Sequence, residues 1–152
     1  MTNPTANSSP VPIGVLLLMH APLAESFLDV VSHVLGKRPP RCVALSVDPN
    51  EEVDEVFLRA SRAVADLHVG SGVLIFTDIC GATPYQVATR LLVPNYVALI
   101  CGASVPMLVR SITHREDGFD PMIAKALSGA KDGIFFTDGH VIKKGDDRYG
   151  TA

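Results

Sequence analysis

Four short runs of almost wholly apolar residues constrain the fold of this chain more than any other feature. They span residues 13–19, 42–47, 73–77 and 96–101. A strand that is exposed on one face alternates apolar and polar residues, whereas a strand covered on both faces is apolar throughout. The runs therefore predict an α/β fold, a doubly wound and mainly parallel open sheet of about four parallel strands with helices on both faces.

The segments after the first two runs have the spacing of amphipathic helices. The first helix is predicted between Pro22, a favoured residue in a first turn, and Gly36, a favoured stop. Asp48 and Glu51 have the spacing of a capping box. A second helix is therefore predicted from there to Leu67.

Three further helices are predicted from their N-terminal signals. Thr83 and Gln86 match a capping box and open a third helix that ends near Leu92. Ser104 and Asp120 are candidate N-caps of a fourth and a fifth helix, and each is followed within two residues by a proline.

The C-terminal part predicts one more strand. Residues 133–137 are another mostly apolar run, and Asp138-Gly139 is a favoured two-residue hairpin turn before His140, Val141 and Ile142. We expect a C-terminal antiparallel strand here.

Length and composition indicate one cytoplasmic domain. The chain has 152 residues and a net charge of -3, which disfavours binding to nucleic acid or to anionic membrane surfaces. Its three cysteines include no C-x-x-C pair, which disfavours a metal site and a dithiol redox centre. Residues 1–12 are interpreted as a disordered leader, 13–143 as the domain and 144–152 as a flexible tail. The first apolar run is too short to span a membrane.

Two loops at the predicted carboxyl edge of the sheet carry the candidate chemistry, because ligands of open parallel sheets bind there. His20 follows the first run and Asp78 follows the third. A carboxylate that accepts a hydrogen bond from one imidazole nitrogen leaves the other nitrogen nucleophilic. His20 is thus a candidate nucleophile and Asp78 its orienting carboxylate, although a merely structural histidine is an equal alternative on position alone.

Neighbouring residues have simpler interpretations. Thr83 is expected to cap its helix, Gly81 to allow a turn or the approach of a phosphate, and Cys80 to be a small half-buried residue rather than a nucleophile. Solvated or capping roles are expected for the other four histidines, His33, His68, His114 and His140.

Three stretches together resemble one family. They are residues 13–24, residues 76–88 with the sequence F-T-D-I-C-G-A-T-P-Y-Q-V-A, and residues 102–108. The chain is similar to the enzyme IIA proteins of the mannose and fructose type in the bacterial phosphoenolpyruvate-dependent sugar phosphotransferase system. The related phosphotransfer subunit of dihydroxyacetone kinase usually lacks the arrangement of Gly81 to Pro84, so the mannose type is favoured.

The resemblance implies roles for individual residues. His20 falls on the phosphorylated histidine, Asp78 on the aspartate that orients it and Thr83 on the hydroxyl beside the phosphate. Ala21, Gly81 and Ala82 fall on the phosphate-binding loop. The family usually has glycine where this chain has Ala21 and Ala82, so the loop backbone is expected to differ here.

The resemblance also implies partners. The protein would accept a phosphoryl group from the histidine-containing phosphocarrier protein and pass it to an enzyme IIB on another chain. It would form a homodimer and need no cofactor. It would contact the membrane only through an enzyme IIC/IID complex. A phosphorylation-dependent regulatory module without sugar transport is the alternative. A dehydrogenase or nucleotide-binding domain is disfavoured, because His20-Ala21-Pro22 replaces the glycine-rich first turn and no Walker motif is present.

Overall fold

The computed structural model describes residues 10–139, and these form an α/β fold around a four-stranded parallel sheet. Across the sheet the second strand of the chain comes first, followed by the first, the third and the fourth, so the first strand lies inside the sheet next to the third. The strands are β1 (Gly14–His20), β2 (Cys42–Val47), β3 (Val73–Thr77) and β4 (Val97–Cys101). The helices are α1 (Leu23–Leu35), α2 (Val53–Leu67), α3 (Thr83–Thr89), α4 (Val105–Thr113) and α5 (Phe119–Asp132).

The apolar strands are buried on both faces, as their composition predicts. Alternate residues of β1 divide between two cores: Leu17 and Met19 pack with α1, α4 and α5, whereas Leu16 and Leu18 pack with α2 and α3. The predicted parallel sheet with helices on both faces is therefore confirmed.

Both predicted capping boxes are wrong. Asp48 and Glu51 form a tight turn, with the Asp48 backbone N–H donating to the Glu51 carboxylate at 3.2 Å, and α2 begins only at Val53. Thr83 is the first residue of α3 and Ala82 is its N-cap. A capping box is identified only by the spacing of two residues. The same spacing occurs in a turn, as at Asp48 and Glu51, and in a helix that begins one residue earlier, as at Thr83.

Two further helix limits also differ from their signals: α3 ends at Thr89 rather than near Leu92, and α5 begins at Phe119 with Gly118 as its N-cap, so Asp120 lies in the first turn instead of capping it. The limits marked by Gly36 and Ser104 agree. Gly36 ends α1 with φ of 72° in the left-handed region, which glycine adopts at little cost. Ser104 caps α4 by accepting from the Met107 backbone N–H at 3.4 Å.

The predicted C-terminal strand is absent from the described residues. Residues 133–137 follow α5 without strand pairing, and Ile134 and Phe135 are 82% and 74% exposed. An apolar run shows that a segment favours burial but not which edge it pairs with. The proposed hairpin partner at His140 to Ile142, the leader up to residue 9 and the tail at 144–152 lie outside the described residues.

Candidate functional site

The sheet order brings two loops together at its carboxyl edge. β1 ends at His20, and β3, its direct neighbour, ends one residue before Asp78. The Ala21 backbone N–H donates to the Val47 carbonyl at 3.0 Å, which extends the sheet pairing by one residue beyond β1. His20 is thus the last residue of its strand, and its backbone is held on a rigid element.

His20 and Asp78 are in direct contact although 58 residues separate them. The imidazole Nδ1 lies 2.7 Å from Asp78 Oδ2, and the His20 backbone N–H also points to this oxygen at 3.4 Å. Because a carboxylate only accepts hydrogen bonds, the contact assigns the ring proton to Nδ1. The lone pair of the neutral ring then lies on Nε2.

The His20 side chain is more exposed than that of Asp78, as expected if His20 is the nucleophile and Asp78 orients it. The His20 side chain is 39% exposed, whereas that of Asp78 is 14% exposed. A partner can reach the imidazole, while the carboxylate is sheltered from water. The arrangement can stabilise positive charge on the ring when Nε2 forms a bond.

Two buried side-chain oxygen atoms at the end of β3 lack hydrogen-bond partners within residues 10–139. They are the Thr77 hydroxyl, at the fully buried end of β3, and Asp78 Oδ1. The Thr77 carbonyl, by contrast, accepts from the backbone N–H groups of Gly102 and Ala103, both at 3.0 Å. The loop after β3 is therefore tied to the loop after β4 through its backbone.

A glutamine side chain of α3 holds the loop that precedes this helix. Gln86 was expected to cap a backbone N–H; instead its side-chain amide donates to the Gly81 carbonyl at 3.0 Å. Gly81 has φ of 86°, a left-handed conformation that favours glycine. In the sequence, the only indication of this hydrogen bond is that a glutamine follows a glycine at a distance of five residues.

Thr83 is the first residue of α3, directly after this loop, and it is half-buried. Its hydroxyl makes no hydrogen bond to another of the described residues, so it is not occupied by helix capping as the local pattern predicted. Ala21 and Ala82 belong to the two loops at this edge, Ala21 exposed and Ala82 half-buried.

Cys80 is exposed rather than half-buried, which corrects the sequence-based expectation. It lies beside Tyr85, and the hydrogen bond with the Cys80 side chain is the main cause that raises the pKa of the tyrosine hydroxyl. Within the described part of the chain, no three His, Cys, Asp or Glu side chains are grouped in a way that could hold a metal ion.

The remaining described histidines lie away from this edge. His33 is exposed on α1, and His68 follows α2 with its ring against Tyr96 at 5.5 Å between centroids. The ring of His114 contacts the Arg110 carbonyl at 2.9 Å at the end of α4. His140 lies outside the described residues, and no described helix has the length and apolar character needed to cross a membrane.

Comparison with known proteins gives consistent matches. The family model described as PTS system fructose IIA component, EIIA-man, matches residues 14–127. The PTS system mannose-specific EIIAB component of Escherichia coli strain K12 is 26% identical over 125 residues, which cover 80% of this chain and 38% of that protein. The chain thus spans well under half the length of the curated relatives that it matches.

Solved structures share the fold. The mannose/sorbose specific IIA subunit from Enterococcus faecalis superposes with a TM-score of 0.75 at 14% identity, covering 88% of this chain and 100% of that one. The phosphotransferase system component EIIA from Streptococcus agalactiae gives a TM-score of 0.72 at 20% identity, covering 80% and 95%.

Proposed function

The chain belongs to the EIIA-man family of PTS system fructose IIA components, and on this premise we propose that it carries a phosphoryl group on Nε2 of His20. The observation that carries the proposal is the 2.7 Å contact between His20 Nδ1 and Asp78 Oδ2. It leaves Nε2 as the free nucleophilic atom of an accessible ring. Asp78 is the positioning carboxylate in this proposal.

The donor is the phosphohistidine of the histidine-containing phosphocarrier protein. The Nε2 lone pair forms a bond to phosphorus while the phosphorus–nitrogen bond of the donor breaks, and its electron pair returns to the donor imidazole. His20 keeps the proton on Nδ1, so the phosphorylated ring is cationic and the Asp78 carboxylate stabilises it. Alignment and charge stabilisation are the main contributions expected from a protein in such a transfer.

The phosphoryl oxygens are proposed to lie against Ala21, Gly81, Ala82 and the Thr83 hydroxyl. Two features support this arrangement: the left-handed backbone of Gly81 at the loop and a Thr83 hydroxyl that no described residue engages. The acceptor is proposed to be an enzyme IIB domain, since the Escherichia coli relative is named as an EIIAB component.

Incubation with phosphoenolpyruvate, enzyme I and the phosphocarrier protein tests the proposal directly. We expect the intact mass to rise by one acid-labile phosphoryl group, and His20→Ala to prevent the increase. His33→Ala is the matched control, because this histidine is exposed on α1 away from the loops. An unchanged mass of the wild-type protein would contradict the proposal, and normal labelling of His20→Ala would place the nucleophile elsewhere.

A homodimer is the proposed assembly. β4 is an edge strand, and the exposed side chains of Ile134 and Phe135 follow α5. Exposed edges and apolar segments are both stabilised by pairing with a second copy. Light scattering at micromolar concentration should give the dimer mass, and Ile134→Ser with Phe135→Ser should lower it; a monomeric wild-type protein would contradict the proposal.

A further inference from the structure

The amino edge of the sheet, opposite His20, holds a buried positive charge that no described residue neutralises. Arg115 follows α4 and is only 8% exposed. Its Nη1 donates to the Pro40 carbonyl at 2.5 Å and lies 3.5 Å from Cys42 Sγ. Both acceptors are neutral, since burial raises the pKa of the Cys42 thiol to about 11.

No carboxylate within residues 10–139 lies at ion-pair distance from Arg115. A buried charge is costly unless an opposite charge lies beside it, and hydrogen bonds to neutral groups compensate only part of that cost. An anion bound next to Arg115 would therefore gain from a guanidinium that is already fixed and already desolvated.

A cavity of about 310 Å³ has Arg115 in its lining. Lys37 also forms its wall and can supply an ammonium group, whereas the Thr113 hydroxyl, also in the lining, already donates to the Val109 carbonyl at 3.0 Å. The exposed Glu116 is the one acidic residue of the lining, and it makes no ion pair with Arg115. The lining therefore contains two basic residues and one acidic residue.

The surrounding loop adds positive charge. Arg41 donates to the carbonyl groups of Pro12 and Leu67, so its own charge is also held by neutral acceptors. Arg38 has one exposed partner, Asp29, at 3.8 Å. The segment of residues 37–41 thus carries three basic side chains, Lys37, Arg38 and Arg41.

We propose that this cavity is a binding site for a small anion that carries a phosphate group, with Arg115 and Lys37 as its charged contacts. Arg presents a planar fork of donors to phosphate oxygens and Lys a compact charge, which together suit a dianion better than a single carboxylate. The seven residues of β1 separate the cavity from His20 by about 20 Å. The site is therefore distinct from the phosphoryl-transfer site, and its existence does not depend on the proposed function.

Titration with inorganic phosphate at constant ionic strength tests the site, with backbone amide shifts in ¹⁵N NMR as the readout. We expect saturable shifts at residues 36–41 and 112–116 in the millimolar range, and weaker binding of acetate. Lys37→Gln should weaken phosphate binding several-fold, and Arg115→Gln about ten-fold or more, because each removes a charge-assisted contact. Lys125→Gln, an exposed lysine on α5, is the control and should bind like the wild type.

Lys37 is exposed, so Lys37→Gln decides the question even if Arg115→Gln fails to fold. The proposal is overturned by an absence of saturable shifts, by shifts confined to residues 20–22 and 78–83, or by equal affinity of Lys37→Gln and wild type. Equal binding of acetate and phosphate would overturn the assignment to a phosphate group.

Discussion

Asp78→Asn removes the charge beside His20 while keeping nearly the same side-chain size. The carboxylate lies 2.7 Å from Nδ1 and its side chain is 14% exposed, so little water competes for this contact. A hydrogen bond that involves a charged group contributes about 1.5–3 kcal/mol. At about 1.4 kcal/mol for each factor of ten, its loss from the transition state slows phosphoryl transfer about ten- to 150-fold.

A second effect of Asp78→Asn adds to the first. The amide can donate its N–H to Nδ1, which moves the ring proton to Nε2 and removes the lone pair that attacks phosphorus. We therefore expect transfer to slow by about two orders of magnitude or more. Donor binding should change little, since Asp78 is sheltered beneath the imidazole rather than exposed at the surface.

Rapid-quench measurement of phosphoryl transfer from the phosphorylated carrier gives both quantities, the rate at saturation and the concentration for half saturation. Imidazole ¹⁵N shifts report the tautomer of His20 in the same variants. Asp54→Asn is the matched control, because this carboxylate is exposed and pairs with Arg90 at 3.2 Å. Wild-type transfer by Asp78→Asn, with His20 still the phosphorylated residue, would refute the orienting role.

Three further predictions concern stability. Thr77→Val removes a fully buried hydroxyl without a partner among the described residues, so we expect about 1 kcal/mol of stabilisation and a melting temperature about 2–4 °C higher; a lower melting temperature would contradict this. In Gly81→Ala the added Cβ would have no heavy atom within 4 Å, but the residue would still have to adopt φ of 86°. This left-handed backbone should lower the free energy of unfolding by about 1–2 kcal/mol, measured by urea unfolding; an unchanged urea midpoint would argue against the left-handed conformation. Burial raises the pKa of Cys42 from 9.0 to about 11, so the unfolded chain releases this proton first: stability is intact below about pH 9 and falls by about 2–3 kcal/mol as the pH rises through about 11. Cys42→Ala should show a smaller decline over the same pH range, and parallel curves would exclude the thiol as its source.

The elements of this fold were largely predictable because their signals are local. Apolar runs mark β2 and β3 to the residue, since a strand buried on both faces must be apolar along its length. Glycine at position 36 and serine at position 104 mark helix ends for equally local reasons. His20 and Asp78 were candidates because each follows such a run.

Other expectations failed where several local solutions satisfy one pattern. Asp48 and Glu51 have capping-box spacing yet close a turn, and Thr83 begins a helix that Ala82 caps. Residues 133–137 are apolar but do not pair as a strand, because pairing depends on an edge elsewhere.

Only the tertiary structure decided which of these residues meet. The sequence by itself determined that His20 and Asp78 stand at carboxyl ends of buried strands, which follows from the composition of the runs. Their contact depends on the strand order β2-β1-β3-β4, which places β1 beside β3 across 58 residues of chain. The isolation of Arg115 from every described carboxylate has the same origin. Periodicity records which face of an element is buried, whereas the neighbours of a side chain are set by how the helices and strands pack together.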